Sequence, residues 1–164
     1  MAYVGGAPTT VAVANKATDV VIVAGVNNEG SAVVVKKDST YRELFDLKGK
    51  TIAVPGHSTV QDFLLRRGLK EKNLAPAETH IMVLKPPEMI SSLRTNQIDA
   101  FVAWEPYPAQ AFTMCVGRNM QTSGEIWPDH PCCVLTVSRD YMQENPESVI
   151  AVLKAHVRAI EYIQ

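Results

Sequence analysis

Short apolar runs rich in β-branched residues recur along this chain. They alternate with longer stretches whose apolar positions fall at helical spacing. Runs at 20–24, 32–35, 51–54, 80–84, 100–103 and 133–137 predict strands. They are continuous rather than alternating, which suits strands covered on both faces and predicts mostly parallel sheets. One helix is predicted from Ser58, where Ser58-Thr59-Val60-Gln61 matches a capping box, with Val60, Phe63, Leu64 and Leu69 turned inward. A second follows Pro86-Pro87, buries Met89, Ile90 and Leu93, and ends near Asn96. A third takes Asn145 as N-cap and Pro146 at its first position, with Val149, Val152, Leu153, His156, Val157 and Ile160 on one face. A shorter helix is predicted from Pro8, after Gly5-Gly6. Strands alternating with helices place the chain in the α/β class.

Polar breaks at 37–40 and 138–140 bracket residues 40–130, which could form a lobe reached by two chain crossings. Almost no strand precedes the helix at Pro8, and the helix from Pro146 is still amphipathic at the last residue. The chain is therefore expected to be incomplete at both ends. A net charge of -1, with lysines and arginines scattered, carries no basic field for nucleic acid. No apolar run approaches the roughly 18 to 20 residues of a membrane span. The first residues, Met-Ala-Tyr-Val-Gly-Gly, lack the basic start of a secretory signal, so an export address is expected upstream or already removed. The three cysteines, Cys115, Cys132 and Cys133, have no metal-ligand spacing. Cys132 and Cys133 are expected in a buried strand, unpaired, because a vicinal disulfide strains the backbone.

The stretch from Leu47 to Trp104 carries the most chemistry. Strand 51–54 runs into Pro55-Gly56 and then into a helix led by Ser58 and Thr59. Such a strand–turn–helix points backbone N–H groups at one spot, where the helix dipole favours negative charge. Anion capture is expected there rather than bond breaking. No nucleophile–base motif, metalloprotease helix or phosphate-loop lysine occurs, so no catalytic residue, metal ligand or cofactor is assigned.

Several pieces then match one family in order and spacing. They are Tyr-Val-Gly-Gly-Ala-Pro (3–8), Ala-Gly-Val-Asn-Asn-Glu-Gly-Ser-Ala-Val-Val-Val (24–35), Asp-Leu-Lys-Gly-Lys-Thr-Ile-Ala-Val-Pro (46–55), Gln-Ile-Asp-Ala-Phe-Val-Ala-Trp-Glu-Pro (97–106) and Val-Ser-Arg-Asp-Tyr (137–141), followed by the Asn-Pro-Glu helix start. The chain resembles the solute-binding proteins of ABC importers for nitrate, sulfonates and taurine. The resemblance implies a two-lobed, type II periplasmic-binding-protein fold with mostly parallel sheets and one lobe incomplete. It implies 1–38 and 131–164 as a partial first lobe and 39–130 as the second, with a ligand in the cleft between lobes. Missing elements would bare apolar surface and favour self-association.

On this expectation the cleft residues are Gly5, Gly6, Ala7 and Pro8, whose turn lets backbone N–H groups approach a ligand, and Ser58 and Thr59 at the other helix start. His57 is a candidate donor, with a solvent-exposed turn as its alternative. Asn28 and Glu29 resemble the family's polar cleft loop; Glu29 could accept from a ligand amine or make a surface ion pair. Trp104 offers an apolar wall with one donor. Glu105 either faces the ligand or caps the helix that follows it. Two acids near an anion site argue against simple nitrate and for a zwitterion or an amine- or pyrimidine-like ligand; the resemblance implies a small organic anion or zwitterion, sulfonate- or taurine-like, or a related nitrogen- or sulfur-containing solute. The implied partners are a small solute and an ABC transporter permease. The implied location of the full-length protein is periplasmic, or extracellular and membrane-anchored. Two alternatives stay open: an enzyme resembling thiamine-pyrimidine synthases, for which His130, Cys132 and Cys133 give footing, and a ligand-sensing domain of a larger receptor.

Overall fold

The structure, a computed structural model, describes residues 1–163. Gln164, expected to end the first lobe, lies outside the described residues. In chain order the elements are β1 (Ala2–Gly5), α1 (Gly6–Ala14), β2 (Val20–Asn28), β3 (Ser31–Lys36), β4 (Thr51–Val54), α2 (Val60–Glu71), β5 (His80–Val83), α3 (Pro86–Arg94), β6 (Ala100–Trp104), α4 (Tyr107–Thr113), β7 (Gly117–Thr122), α5 (Ser123–Ile126), β8 (Pro131–Ser138), α6 (Arg139–Glu144) and α7 (Pro146–Ile163).

They form two compact units. Unit 1 comprises Met1–Asn28 and the chain from Pro131 onward, and unit 2 is the continuous segment Glu29–His130. The boundary expected after residue 38 therefore moves to residue 28. The cause is β3, which hydrogen-bonds to β6 and β7 and so belongs to the second unit's sheet.

Unit 2 holds a five-stranded sheet in the order β5-β4-β6-β3-β7. β4 runs parallel to β5 and β6, whereas β3 runs antiparallel to β6 and β7. Unit 1 holds a three-stranded sheet, β1-β8-β2, antiparallel throughout. Both facts correct the expectation of mostly parallel sheets. The continuous apolar run in β3 reports burial on both faces next to β6, not a parallel neighbour; Ser31 through Val35 are all buried. The polar strand β7 sits at the sheet edge and shows no apolar run, so the residue pattern gave it no strand character.

The core of unit 2 gathers Val34, Ala53, Phe101, Met89, Leu93 and Ile98, all buried. α2 adds Leu64, Leu65 and Leu69, but Phe63, expected inward, faces out at 45% exposure. The buried stripe of α2 runs through Val60, Gln61, Leu64, Leu65 and Gly68, and Phe63 lies on the opposite side.

In unit 1 the buried positions of α7 are Val149 and His156, while Val152 and Val157 of its expected inner face are exposed. His156 pins the helix to the sheet. Its Nε2 donates to the Gly25 carbonyl at 2.8 Å, and its Nδ1 lies 3.4 Å from the Tyr3 hydroxyl. The β2–β8 ladder carries three register shifts. The last two leave Val26 on β2 and Cys132 on β8 without a ladder partner, which makes each the extra residue of a bulge.

Candidate functional site

The expected site residues divide between the two units. In unit 1, Gly5 ends β1 and is the extended N-cap of α1, at φ -64° and ψ 133°. The helix starts at Gly6, two residues before the predicted start at Pro8, so Ala7 and Pro8 lie in its first turn. No side chain caps this start and its first turn holds no acid. Gly6 lies close over β8: a Cβ there would sit 3.4 Å from Val134 Cγ1 and 3.5 Å from the Cys132 carbonyl oxygen. Asn28 ends β2, paired with Pro131.

Unit 2 carries the others. β4 and β6 run in the same direction side by side, so their C-terminal ends share one edge of the sheet. His57, Ser58 and Thr59 follow β4, and Trp104 ends β6. Trp104 pairs with Ser31, the first residue of β3, on the same edge. The indole is 38% exposed and meets the Tyr107 ring edge-on, centroids 6.0 Å apart. His57 is exposed.

The start of α2 differs from the expected capping box. Thr59, not Ser58, is the N-cap, and its Oγ1 accepts from the Asp62 N–H at 3.3 Å while donating to the Gly56 carbonyl at 2.7 Å. Ser58 adopts the left-handed region, φ 65°, at a cost of about 1 kcal/mol or more for a non-glycine residue. Its N–H donates to Asp62 Oδ2 at 3.1 Å, which offsets part of that cost. The other oxygen of Asp62 holds Arg66 Nε at 2.9 Å. Asp62 therefore brings its own negative charge to the helix start. Gln61 does not reach back. Its side chain points into the protein and donates to Ser31 Oγ at 3.0 Å.

Both candidate acids are engaged by backbone. Glu105 Oε2 accepts from the Ala109 N–H at 3.1 Å, which is the capping alternative at the start of α4. Glu29 Oε1 accepts from the Asp129 N–H at 2.8 Å, and a Cβ at Gly124 would collide with the same carboxylate. Glu105 closes a local turn and Glu29 ties β2's end to the loop before β8, so neither is the unattached partner that a ligand amine would need.

Three residues at this edge escaped the residue pattern. Ser31, Gln61 and Ser123 are buried polar side chains in one network, with Ser123 Oγ accepting from the Ser31 N–H at 3.1 Å. They are far apart in sequence, and no local spacing marks them. Beside them, Glu125 accepts from the Thr122 N–H at 2.7 Å and from the Thr122 hydroxyl at 2.9 Å. Those bonds, the backbone one first, hold its carboxyl below the ordinary range.

The residues that gave the enzyme alternative its footing are poorly placed for nucleophilic work. His130 and Cys132 are buried, and burial followed by the neighbouring Cys133 pushes the Cys132 thiol up to about 11. A thiol so shifted holds almost no thiolate at neutral pH.

The profile of the NMT1-like family matches residues 1–164. The chain belongs to the NMT1-like family. Among curated relatives of this NMT1-like chain, the nitrate/nitrite binding protein NrtA of Synechococcus elongatus is 26% identical over 162 residues, covering 89% of this chain and 37% of that protein. The nitrate import ATP-binding protein NrtC of Synechocystis is 28% identical over 150 residues, covering 84% of this chain and 22% of that protein. The chain thus spans between about a fifth and two fifths of the length of these relatives. Among solved structures, the alkanesulfonate-binding protein SsuA from Xanthomonas axonopodis pv. citri, bound to MOPS, superposes with a TM-score of 0.83 at 23% identity, over 96% of this chain and 54% of that one. The desulfurization enzyme DszB superposes with a TM-score of 0.72 at 14% identity, over 96% of this chain and 60% of that one. The fold of this NMT1-like chain is therefore the periplasmic-binding-protein-like α/β fold in partial form. That fold serves binding proteins and an enzyme alike, and it does not by itself assign an activity.

Proposed function

We propose that this chain is solute-binding machinery of an ABC import system and not an enzyme, and that its ligand is a small organic anion of the sulfonate class. It works outside the cytoplasm, in the periplasm or at the cell surface, and passes its solute to a membrane permease. The observation that carries the reading is the start of α1 in a chain of this family. Its N-cap and first residue are Gly5 and Gly6, no side chain caps it, and no acid lies in its first turn. An approaching anion meets backbone donors and the positive end of the helix there, with no carboxylate competing. The engagement of Glu29 and Glu105 by backbone N–H groups removes the reason to require an amine on the ligand. An alkanesulfonate is therefore preferred over taurine.

The test is calorimetric titration of the chain with an alkanesulfonate, taurine and nitrate, repeated on Gly6→Asp. The new side chain must be accommodated against Val134 and the Cys132 carbonyl, so circular dichroism checks that the variant folds. Affinity for the sulfonate should fall roughly tenfold or more, since the acid opposes the anion. Equal binding by both proteins, or no binding across the panel, overturns the reading.

The match to part of an ATP-binding import protein favours a second reading, in which this module senses solute within a larger polypeptide. Immunoblotting of the native protein separates the two. A species much longer than the periplasmic binding proteins supports the sensor.

A further inference from the structure

The two adjacent cysteines of β8 are not used by the reading above. In a regular strand neighbouring side chains leave opposite faces of the sheet and stay apart. Here Cys132 Sγ and Cys133 Sγ are 3.9 Å apart. The register supplies the reason. Cys133 pairs with Asn27 and Pro131 pairs with Asn28, so Cys132 is the extra residue of a bulge and its side chain is freed from the alternation. The Asn27 side chain hydrogen-bonds Cys132. Cys132 is buried and Cys133 half-buried, and both thiols are free.

That spacing is the bite of a chelate. With metal–sulfur bonds of about 2.3 Å, two thiolates on one ion stand about 3.8 Å apart at a tetrahedral angle and about 4.0 Å apart at a trigonal one, against about 4.6 Å when linear. The observed separation of 3.9 Å lies between the first two. Thiolate sulfur selects soft ions, copper(I) and zinc foremost. Structural zinc takes four protein ligands. Among the described residues, no group of three or more His, Cys, Asp or Glu side chains could hold a metal. The ligand count therefore suits an ion content with two thiolates and one small exogenous donor.

We propose that Cys132 and Cys133 chelate a soft, low-coordinate cation of the copper(I) type at the β8 bulge. Binding replaces the two S–H protons: two thiols, one monovalent cation and one neutral donor, water, give a three-coordinate bis-thiolate complex of charge minus one and release two protons, with no electron transferred. Burial holds Cys132 in the thiol form at neutral pH, and the cation draws the proton off by neutralising the thiolate that burial disfavours.

The experiment is anaerobic competition of the reduced 164-residue chain against a chromophoric copper(I) chelator, with zinc(II) in a parallel arm. One copper(I) per chain is expected, with two protons released in weakly buffered solution. Cys132→Ser and Cys133→Ser should each lower affinity on the order of 100-fold, because one thiolate alone loses the chelate advantage. Cys115→Ser should bind as the parent does. Circular dichroism checks the fold, and Cys133→Ser, at the half-buried position, carries the test if Cys132→Ser unfolds. The proposal is overturned if the parent fails to compete for copper(I), if Cys133→Ser binds as tightly as the parent, if the loss follows Cys115, or if zinc(II) binds more tightly than copper(I).

Discussion

The helix starts of α1 and α2 both follow a strand, α1 directly and α2 after a turn, yet they are built on opposite electrostatic plans. The start of α2 is closed by its own side chains: Thr59 caps it and the Asp62 carboxylate takes the Ser58 N–H. The start of α1 has two glycines, no side-chain cap and no acid. A helix that carries its own counter-charge gains stability and gives up attraction for an external anion. A helix that lacks one keeps that attraction and forgoes the stability. The lesson is that a hydroxyl-led helix start in a sequence is no anion site until the third residue of the helix has been considered. Here that residue is an aspartate.

The sharpest way to break the comparison is Asp62→Ala. It removes the bond to Ser58 and the partner of Arg66, and it leaves Ser58 in its left-handed conformation with less to hold it. Chemical denaturation should show a loss of about 2 to 3 kcal/mol, since bonds to a charged group are the stronger kind. The same change should make the start of α2 more attractive to anions, and binding of inorganic sulfate there should rise. Unchanged stability would mean that α2 is not closed in this way.

Thr59→Ala comes next. Loss of an N-cap costs about 1 kcal/mol, and hydrogen exchange should locate the loosening in the first turn of α2. In α1, Thr9 Oγ1 bonds to the Gly5 carbonyl from within the helix rather than capping it. Thr9→Ala should therefore cost less than Thr59→Ala; equal costs would erase the contrast.

The smallest effect is expected of Glu105→Gln. The amide oxygen can still accept from the Ala109 N–H, so stability should change by about 0.5 kcal/mol or less. A marked loss of taurine binding in this variant would restore Glu105 as an amine partner.

How much of this was legible varies by element. Strand 51–54 and the helix after Asn145 were plain, because a β-branched run and a Pro-led amphipathic pattern are local facts. The order of motifs was enough to indicate the fold. The edge strand β7 was invisible because its residues are mostly polar and no apolar run marks it. The capping box at Ser58 failed for a non-local reason: Gln61 is drawn to Ser31, on a strand thirty residues earlier. Glu29 and Glu105 looked like ligand partners because carboxylates near a strand end carry no mark of the backbone N–H that engages them.

One feature of the topology governs how the molecule is made. Unit 2 is a single uninterrupted stretch, while the central strand of unit 1, β8, is synthesised long after the two strands that flank it. As the chain emerges from the ribosome, β1 and β2 wait with unpaired edges until more than a hundred further residues have been added, and unit 2 can complete its sheet in the interval. Vectorial synthesis thus sets an order of assembly.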